Sequence, residues 1–213
     1  MRLRICRRLP VILTLMFMIV AACLPASAED QASSDILIVY FSRHGVSEGS
    51  FDTDADAVSS ASLTVGNTET LARIIQTQTG GDLYQIRTVM TYPKDFDEAH
   101  EVARGQLNRD ERPELMDRIE NLESYTTIFL CYPNWWSELP MPVRTFLESG
   151  NFSGKTILPL CVSRGGGFGK TLEKLAAILP EANLLEGLNI PEAELDTAEK
   201  KMTQWISEQT GGN

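Results

Sequence analysis

Apolar positions along the chain gather into short continuous runs, separated by stretches that repeat with a helical period. Ile36-Leu-Ile-Val-Tyr-Phe41 is unbroken, as expected of a strand covered on both faces, and a first strand is drawn from Asp35 to Ser42. Leu71, Ile74 and Ile75 then stripe a helix that opens near Asn67 and stops at Gly80-Gly81, a C-cap signal. Asp82 to Arg87 alternates weakly and reads as an edge strand, and residues 94–121 read as two polar helical segments around Pro113. Tyr125–Tyr132 is the central strand, and Pro140 starts a helix whose Val143, Phe146 and Leu147 share a face. A strand over Lys155–Val162 precedes a helix marked by Leu172, Leu175, Ala176 and Leu179. A short strand over Leu184–Ile190 and a helix striped by Ala198, Met202, Trp205 and Ile206 complete the pattern. Strand and helix alternate about five times without an internal repeat, which predicts an α/β fold with a parallel sheet and helices on both faces. Ligands of such sheets lie across the carboxyl ends of the strands, so the residues just after each strand are the informative ones.

Three strand ends carry unusual chemistry. Ser42 and Arg43 follow the first strand, and after a long insertion come Gly66-Asn-Thr-Glu-Thr70 at the mouth of the helix. A glycine, an amide and two hydroxyls there suit a phosphate monoester, because free backbone N–H groups and the positive end of the helix dipole face the anion. An ordinary capped helix has the same look. Tyr132-Pro-Asn-Trp-Trp-Ser137 follows the central strand and offers flat aromatic faces, which could equally serve as core or as a partner surface. Ser163-Arg-Gly-Gly-Gly-Phe-Gly169 follows the next strand and lets backbone approach a ligand closely. A phosphate joined to a large planar ring would engage all three loops, and flavin mononucleotide (FMN) has that shape.

Those residues carry a family resemblance. YFSR…GNTE near the start, YPxWWxxLPMPVxxFLE in the middle and SxGGGFG later make the chain from about Asp35 to Ile190 similar to the flavodoxin-like family, specifically its bacterial branch. The resemblance implies a doubly wound five-stranded parallel sheet of order 2-1-3-4-5 and a non-covalently bound FMN. It assigns Ser42, Gly66, Asn67 and Thr68 to the phosphate loop, and Pro133, Asn134, Trp135 and Trp136 to the first isoalloxazine loop. Ser163, Gly165, Gly166 and Gly167 match the second. It leaves open which tryptophan stacks on the ring.

The chain departs from the family pattern at residues 44–65, which separate Ser42 from Gly66 where a short loop is the rule. We expect this insertion to loop out and return, since closing a longer loop costs only about 0.6 kcal/mol per doubling of its length. Within it, Asp56-Ala-Val-Ser-Ser-Ala-Ser62 resembles a motif for covalent attachment of FMN through phosphate. Ser60 replaces the motif's glycine, so attachment at Ser62 is not the expected mode. Asp52, Asp54 and Asp56 are spaced like calcium ligands, but Ala57 and Leu63 stand where Gly and Glu belong, which leaves a solvated acidic loop. Gly45-Val-Ser-Glu-Gly49 satisfies a serine-hydrolase motif without a helix start after it, and the sole downstream histidine, His100, comes too early for a triad. Arg164-Gly-Gly-Gly-Phe-Gly-Lys-Thr171 nearly spells a nucleotide-phosphate loop, but Arg164 occupies the place of its first glycine.

Composition changes the picture at the N-terminus. Arg2, Arg4, Arg7 and Arg8, an apolar run over residues 9–22 and Ala26-Ser27-Ala28 form an export signal spanning residues 1–28, and the remaining residues 29–213 read as one domain. Val20-Ala21-Ala22-Cys23 offers a second reading, a lipoprotein signal ending in a lipid-anchored Cys23. Removing four arginines and no acid takes the formal net charge from −10 to −14. Such a balance argues against nucleic acid and suits a redox partner with a basic docking face. Of the four cysteines only Cys131 and Cys161 lie in the mature chain, near strand ends where buried thiols are usual. With FMN bound, an exported electron carrier is the first expectation, because NAD(P)H is scarce outside the cytoplasm. The second is an NAD(P)H-dependent oxidoreductase that reduces quinones or similar acceptors.

Overall fold

A computed structural model describes residues 34–43, 66–93 and 95–210. The export signal with Cys23 and the 44–65 insertion with Ser62 lie outside the described residues. The elements are β1 (Ile36–Tyr40), α1 (Asn67–Thr79), β2 (Asp82–Gln85), α2 (Phe96–Asn108), β3 (Thr127–Pro133), α3 (Met141–Ser149), β4 (Thr156–Ser163), α4 (Thr171–Ile178), β5 (Asn183–Leu184), β6 (Leu188–Pro191) and α5 (Ala198–Thr210). One-turn 3₁₀ segments sit at Leu122–Ser124, and a longer one runs from Glu192 to Thr197. The sheet is parallel throughout, in the order β2-β1-β3-β4-β5, with β6 also beside β4. This is the expected 2-1-3-4-5 arrangement, with the last strand in two pieces.

The interruption has a local cause. Ile157 O accepts from Leu185 N at 3.0 Å, so Ile157 turns its peptide groups towards the last strand. Two residues on, Pro159 faces the same way and has no N–H to offer. Pairing resumes at Leu160 opposite Leu188, with Gly187 packed so closely against Pro159 O and the Phe168 ring that a Cβ would sit 3.0 Å and 2.6 Å away.

Because strand residues alternate between faces, the sheet divides the core in two. Leu37, Val39, Phe41, Leu130 and Tyr132 face one side, where α3 adds Val143, Phe146 and Leu147 and α4 adds Leu175. Ile38, Tyr40, Phe129, Cys131 and Leu158 face the other, covered by Leu71, Ala72 and Ile75 of α1 and by Ala198, Met202, Trp205 and Ile206 of α5. Cys131 and Cys161 therefore lie in different core layers and remain free, buried thiols. Burial alone pushes the Cys131 thiol far up, and it takes Cys161 to about 12, against a smaller opposing effect of Asn189.

Residues 94–121 differ from the two-helix expectation. Asp95 caps α2 by accepting from Glu98 N at 2.9 Å, and the helix ends at Asn108 with Arg109 as its C-cap. The segment after it does not coil again. Instead it runs antiparallel to residues 87–89, where Val89 N donates to Glu114 O and Met116 N donates to Arg87 O, both at 2.9 Å. Pro113 disfavours a helical residue before it, and pairing with residues 87–89 satisfies the backbone groups a second helix would have used.

Candidate functional site at the carboxyl ends of the strands

Parallel strands place the ends of β1, β3 and β4 on one rim. The start of α1 lies there too. Gly81, just past the C-terminus of α1, packs against Ile36 at the beginning of β1, so the helix returns against the strand direction. At its other end Glu69 is close enough to Tyr40, the last residue of β1, to act with burial in pushing that phenol up to about 12. The paired indoles and the Gly66-Asn67-Thr68 turn therefore share one rim.

Gly66 stands at the N-cap position with extended backbone (φ −62°, ψ 146°), and among the described residues no side-chain hydrogen bond caps the helix. Its carbonyl accepts from Thr70 N at 2.9 Å and from Thr70 Oγ1 at 3.2 Å. Asn67 is buried, and Thr68 is wholly so. Ser42 is equally enclosed, and neither Ser42 Oγ nor Thr68 Oγ1 finds a hydrogen-bond partner among the described residues. Buried hydroxyls are almost always paired, so two partnerless ones beside an uncapped helix start mark a place for an acceptor-rich group.

The loops after β3 and β4 are tied to each other. Asn134 N donates to Val162 O at 2.8 Å, and Asn134 Nδ2 donates to Gly167 O at 2.7 Å, which leaves Asn134 Oδ1 buried without a partner among the described residues. Lys170 N donates to Ser137 O at 2.7 Å. Gly169, at φ +55°, lies so close to Ser137 that a Cβ would come within 2.7 Å of its carbonyl oxygen. Gly165 and Gly167 also hold positive φ, at +119° and +57°, whereas Gly166 does not. Ser163 Oγ is anchored by the Asn189 side chain at 3.1–3.3 Å.

Between these loops lies a cavity of about 630 Å³, counting its open mouth, walled by Pro133, Asn134, Trp135, Trp136, Val162 and Ser163. Of the residues singled out from the sequence, Pro133, Asn134, Trp135, Trp136 and Ser163 meet in this cavity. Ser42, Gly66, Asn67 and Thr68 lie on the rim outside its lining, and Gly165, Gly166 and Gly167 shape the loop without lining it.

The two tryptophans have different surroundings. Trp135 meets Phe41 and Tyr92 edge to face, with centroids 5.2 Å and 5.5 Å apart, which seats it on the core. Trp136 is 36% exposed at φ +56°, and the following Ser137 is also in the left-handed region. Its indole stacks on His100 at 3.9 Å and 13°, beneath the Arg104 guanidinium 4.8 Å from the ring centroid.

One wall was not anticipated. Phe96, Ala99, His100 and Ala103 of α2 line the cavity, as do Arg43, Arg164 and Glu192. The first four fall at i, i+3, i+4 and i+7, a single helix face that could have been found from spacing. Two small alanines and a histidine gave that face little apolar bulk to read. Arg164 lies 3.8 Å from Glu192, across the ends of β4 and β6.

No match is found among curated proteins. A protein from Bacteroides eggerthii described as a flavoprotein is 27% identical, with a TM-score of 0.63 over 82% of this chain and 97% of that one. One from Bacteroides uniformis, described likewise, is 24% identical at a TM-score of 0.61, covering 82% of this chain and 99% of that one. A Lactobacillus acidophilus flavoprotein in complex with FMN is 19% identical at a TM-score of 0.55, covering 78% of this chain and 98% of that one. The flavodoxin family model matches residues 56–209, well over half the chain. By that match, and with the sheet order and rim geometry in agreement, the chain belongs to the flavodoxin family.

Proposed function

We propose that this chain binds FMN non-covalently along the carboxyl rim and carries electrons between partner proteins outside the cytoplasm. The observation that carries the proposal is the set of buried polar atoms along that rim that find no partner among the described residues: Ser42 Oγ, Thr68 Oγ1 and Asn134 Oδ1. Two hydroxyls beside an uncapped helix start can donate to phosphate oxygens. An amide oxygen in the cavity can accept from the N–H of a heterocycle. FMN offers both complements in one molecule, and the fit also suits a relative described with FMN.

FMN supplies the redox chemistry when bound. The chain's own residues bind and orient. Gly66, Asn67 and Thr68 present helix N–H groups and a hydroxyl, and Ser42 adds a second hydroxyl from the end of β1. Pro133, Asn134, Trp135, Trp136 and Ser163 enclose the cavity, while Gly165, Gly166 and Gly167 give the second loop its path. Aromatic and apolar walls exclude water from the ring and so strengthen the polar contacts inside.

Two further features support a carrier. Residues 1–28 have the make-up of an export signal, which puts the domain where NAD(P)H is scarce; the alternative Cys23 signal would leave it lipid-anchored. A net charge of −10, or −14 after processing, suits docking on a redox protein with a basic face.

A second reading is favoured by one observation: α2 adds a wall of Phe96, Ala99, His100 and Ala103, which makes an open-mouthed pocket out of a gap between two loops. A small acceptor such as a quinone, reduced by NAD(P)H through FMN, would use such a pocket.

Purified residues 29–213 are expected to be yellow or to turn yellow with FMN, and acid precipitation should release all the flavin. A colourless protein that ignores FMN ends both readings, and flavin retained in the precipitate revives attachment at Ser62. Fast NAD(P)H oxidation in the presence of a quinone selects the oxidoreductase, and its absence selects the carrier.

A further inference from the structure

We infer that Phe168 is a peg and Gly187 its socket, and that this pair positions the second ring loop against the flavin. Neither residue lines the cavity, so both act through the loop. The inference rests on the FMN reading above.

Between Ser163 and Thr171 the chain reads Arg-Gly-Gly-Gly-Phe-Gly-Lys, so Phe168 is the one bulky apolar side chain in the loop. It is half-buried and packs against the core layer that holds Cys161 and Leu175, whereas Arg164, Gly165, Gly166, Gly169 and Lys170 are exposed. Glycine backbone has the most freedom to lose, so a loop of this composition keeps a fixed path only where something outside pins it. Two hydrogen bonds, at Gly167 O and Lys170 N, reach Asn134 and Ser137 in the loop after β3. They tie the two ring loops to each other, and a pair of loops so joined can still shift together. Trp135 seats the first loop on the core through Phe41 and Tyr92. Phe168 does the same for the second. Its other ties to the sheet are weaker: Cys161 Sγ donates to Gly167 O at 3.8 Å, and the largely exposed Arg164 lies 3.8 Å from Glu192.

The socket is made by the break in the last strand. Gly187 lies between β5 and β6, beside Pro159. A Cβ at Gly187 would stand 2.6 Å from Phe168 Cζ, 3.1 Å from its Cε1 and 3.0 Å from Pro159 O. Gly187 does not hold a positive φ, so its backbone would accept a side chain, and what the place excludes is volume. Pro159 O is fixed in the sheet. An added methyl therefore displaces the ring, and the loop that carries the ring moves with it. A binding loop has to be held to about 0.5 Å for its contacts to form together, which makes a peg outside the cavity matter inside it.

The test compares wild type with Phe168→Ala, Gly187→Ala and the double variant Gly187→Ala with Phe168→Leu, each first checked by circular dichroism and melting temperature. FMN and riboflavin affinities are measured by equilibrium dialysis. Phe168→Ala and Gly187→Ala should each lose about tenfold in affinity for both ligands, with the ratio of FMN to riboflavin affinity unchanged, because the ring loop moves and the phosphate end does not. Leucine lacks the Cζ and Cε1 atoms that the added methyl strikes, so the double variant should recover most of the loss. Folded single variants that bind both ligands as wild type does overturn the inference and leave Phe168 as packing for the start of α4. A double variant no better than Gly187→Ala overturns it too, as does a loss confined to FMN. Should Gly187→Ala not fold, Phe168→Ala decides. A wild type that takes neither ligand removes the functional reading and the inference with it, a result distinct from the others.

Discussion

Replacing Thr68 by Val should move stability and affinity in opposite directions. Thr68 is wholly buried, and its Oγ1 has no hydrogen-bond partner among the described residues. An unsatisfied buried hydroxyl costs about 1–3 kcal/mol, whereas a methyl of the same shape carries no such penalty. Both side chains are β-branched, so helix propensity at this second position of α1 barely changes. The apo protein should therefore gain about 1 kcal/mol or more in urea unfolding. With FMN the sign reverses. A hydrogen bond to a charged acceptor contributes about 1.5–3 kcal/mol, so FMN affinity should fall roughly ten- to hundredfold. Riboflavin, which lacks the phosphate, should bind wild type and variant alike. A variant that destabilises the apo protein, or one that weakens riboflavin as much as FMN, would refute the assignment of Thr68 to a phosphate.

The tryptophan pair should separate in a single experiment. Trp135→Ala removes two edge-to-face contacts with Phe41 and Tyr92 and should cost about 2–4 kcal/mol of stability, whereas Trp136→Ala should leave stability within about 1 kcal/mol and weaken FMN. Equal destabilisation by both changes would contradict their different seating. Gly169→Ala forces a left-handed residue with a Cβ 2.7 Å from Ser137 O, and should cost about 2–4 kcal/mol and loosen the tie between the two ring loops; a melting temperature within a degree of wild type would contradict it. Burial holds Cys161 and Tyr40 neutral up to about 12, against ordinary values of 9 and 10. The folded state thus binds more protons than the unfolded one in that interval, and stability, fully present below pH 9, should decline between pH 9 and 12. Thiol reagents at pH 8 should label Cys131 and Cys161 only after unfolding, and rapid native labelling would contradict their burial.

Much of the fold was legible because its strands are apolar on both faces. Ile36–Phe41 and Ile128–Cys131 could only be buried strands, and the Gly80 C-cap ended α1 where the sequence placed it. The break between β5 and β6 was missed because it depends on the neighbouring strand, where Pro159 lacks the N–H that continuous pairing needs. The stretch after α2 was misread as a second helix. Its polar periodicity carries no information about Val89 and Arg87, whose backbone groups it pairs with across the chain. At the site, loops rich in Gly, Asn and Trp stood out by composition. The α2 wall did not, since Ala99 and Ala103 become informative only when packing reveals the space they leave open.

Arg43 was noted in the sequence only as a neighbour of Ser42. Nothing in a linear reading says that a strand-end arginine turns inward, and its burial is set by α2 arriving from more than fifty residues away.

The account's central claim is that one rim holds the whole of FMN, with its ring among the paired indoles. Titrating FMN into purified residues 29–213 while following tryptophan fluorescence tests this directly, since Trp205 lies on the opposite face of the sheet and supplies a steady background. The account predicts saturable quenching at one FMN per chain, most of it lost in Trp136→Ala. Emission that stays unchanged through a large excess of FMN would contradict it.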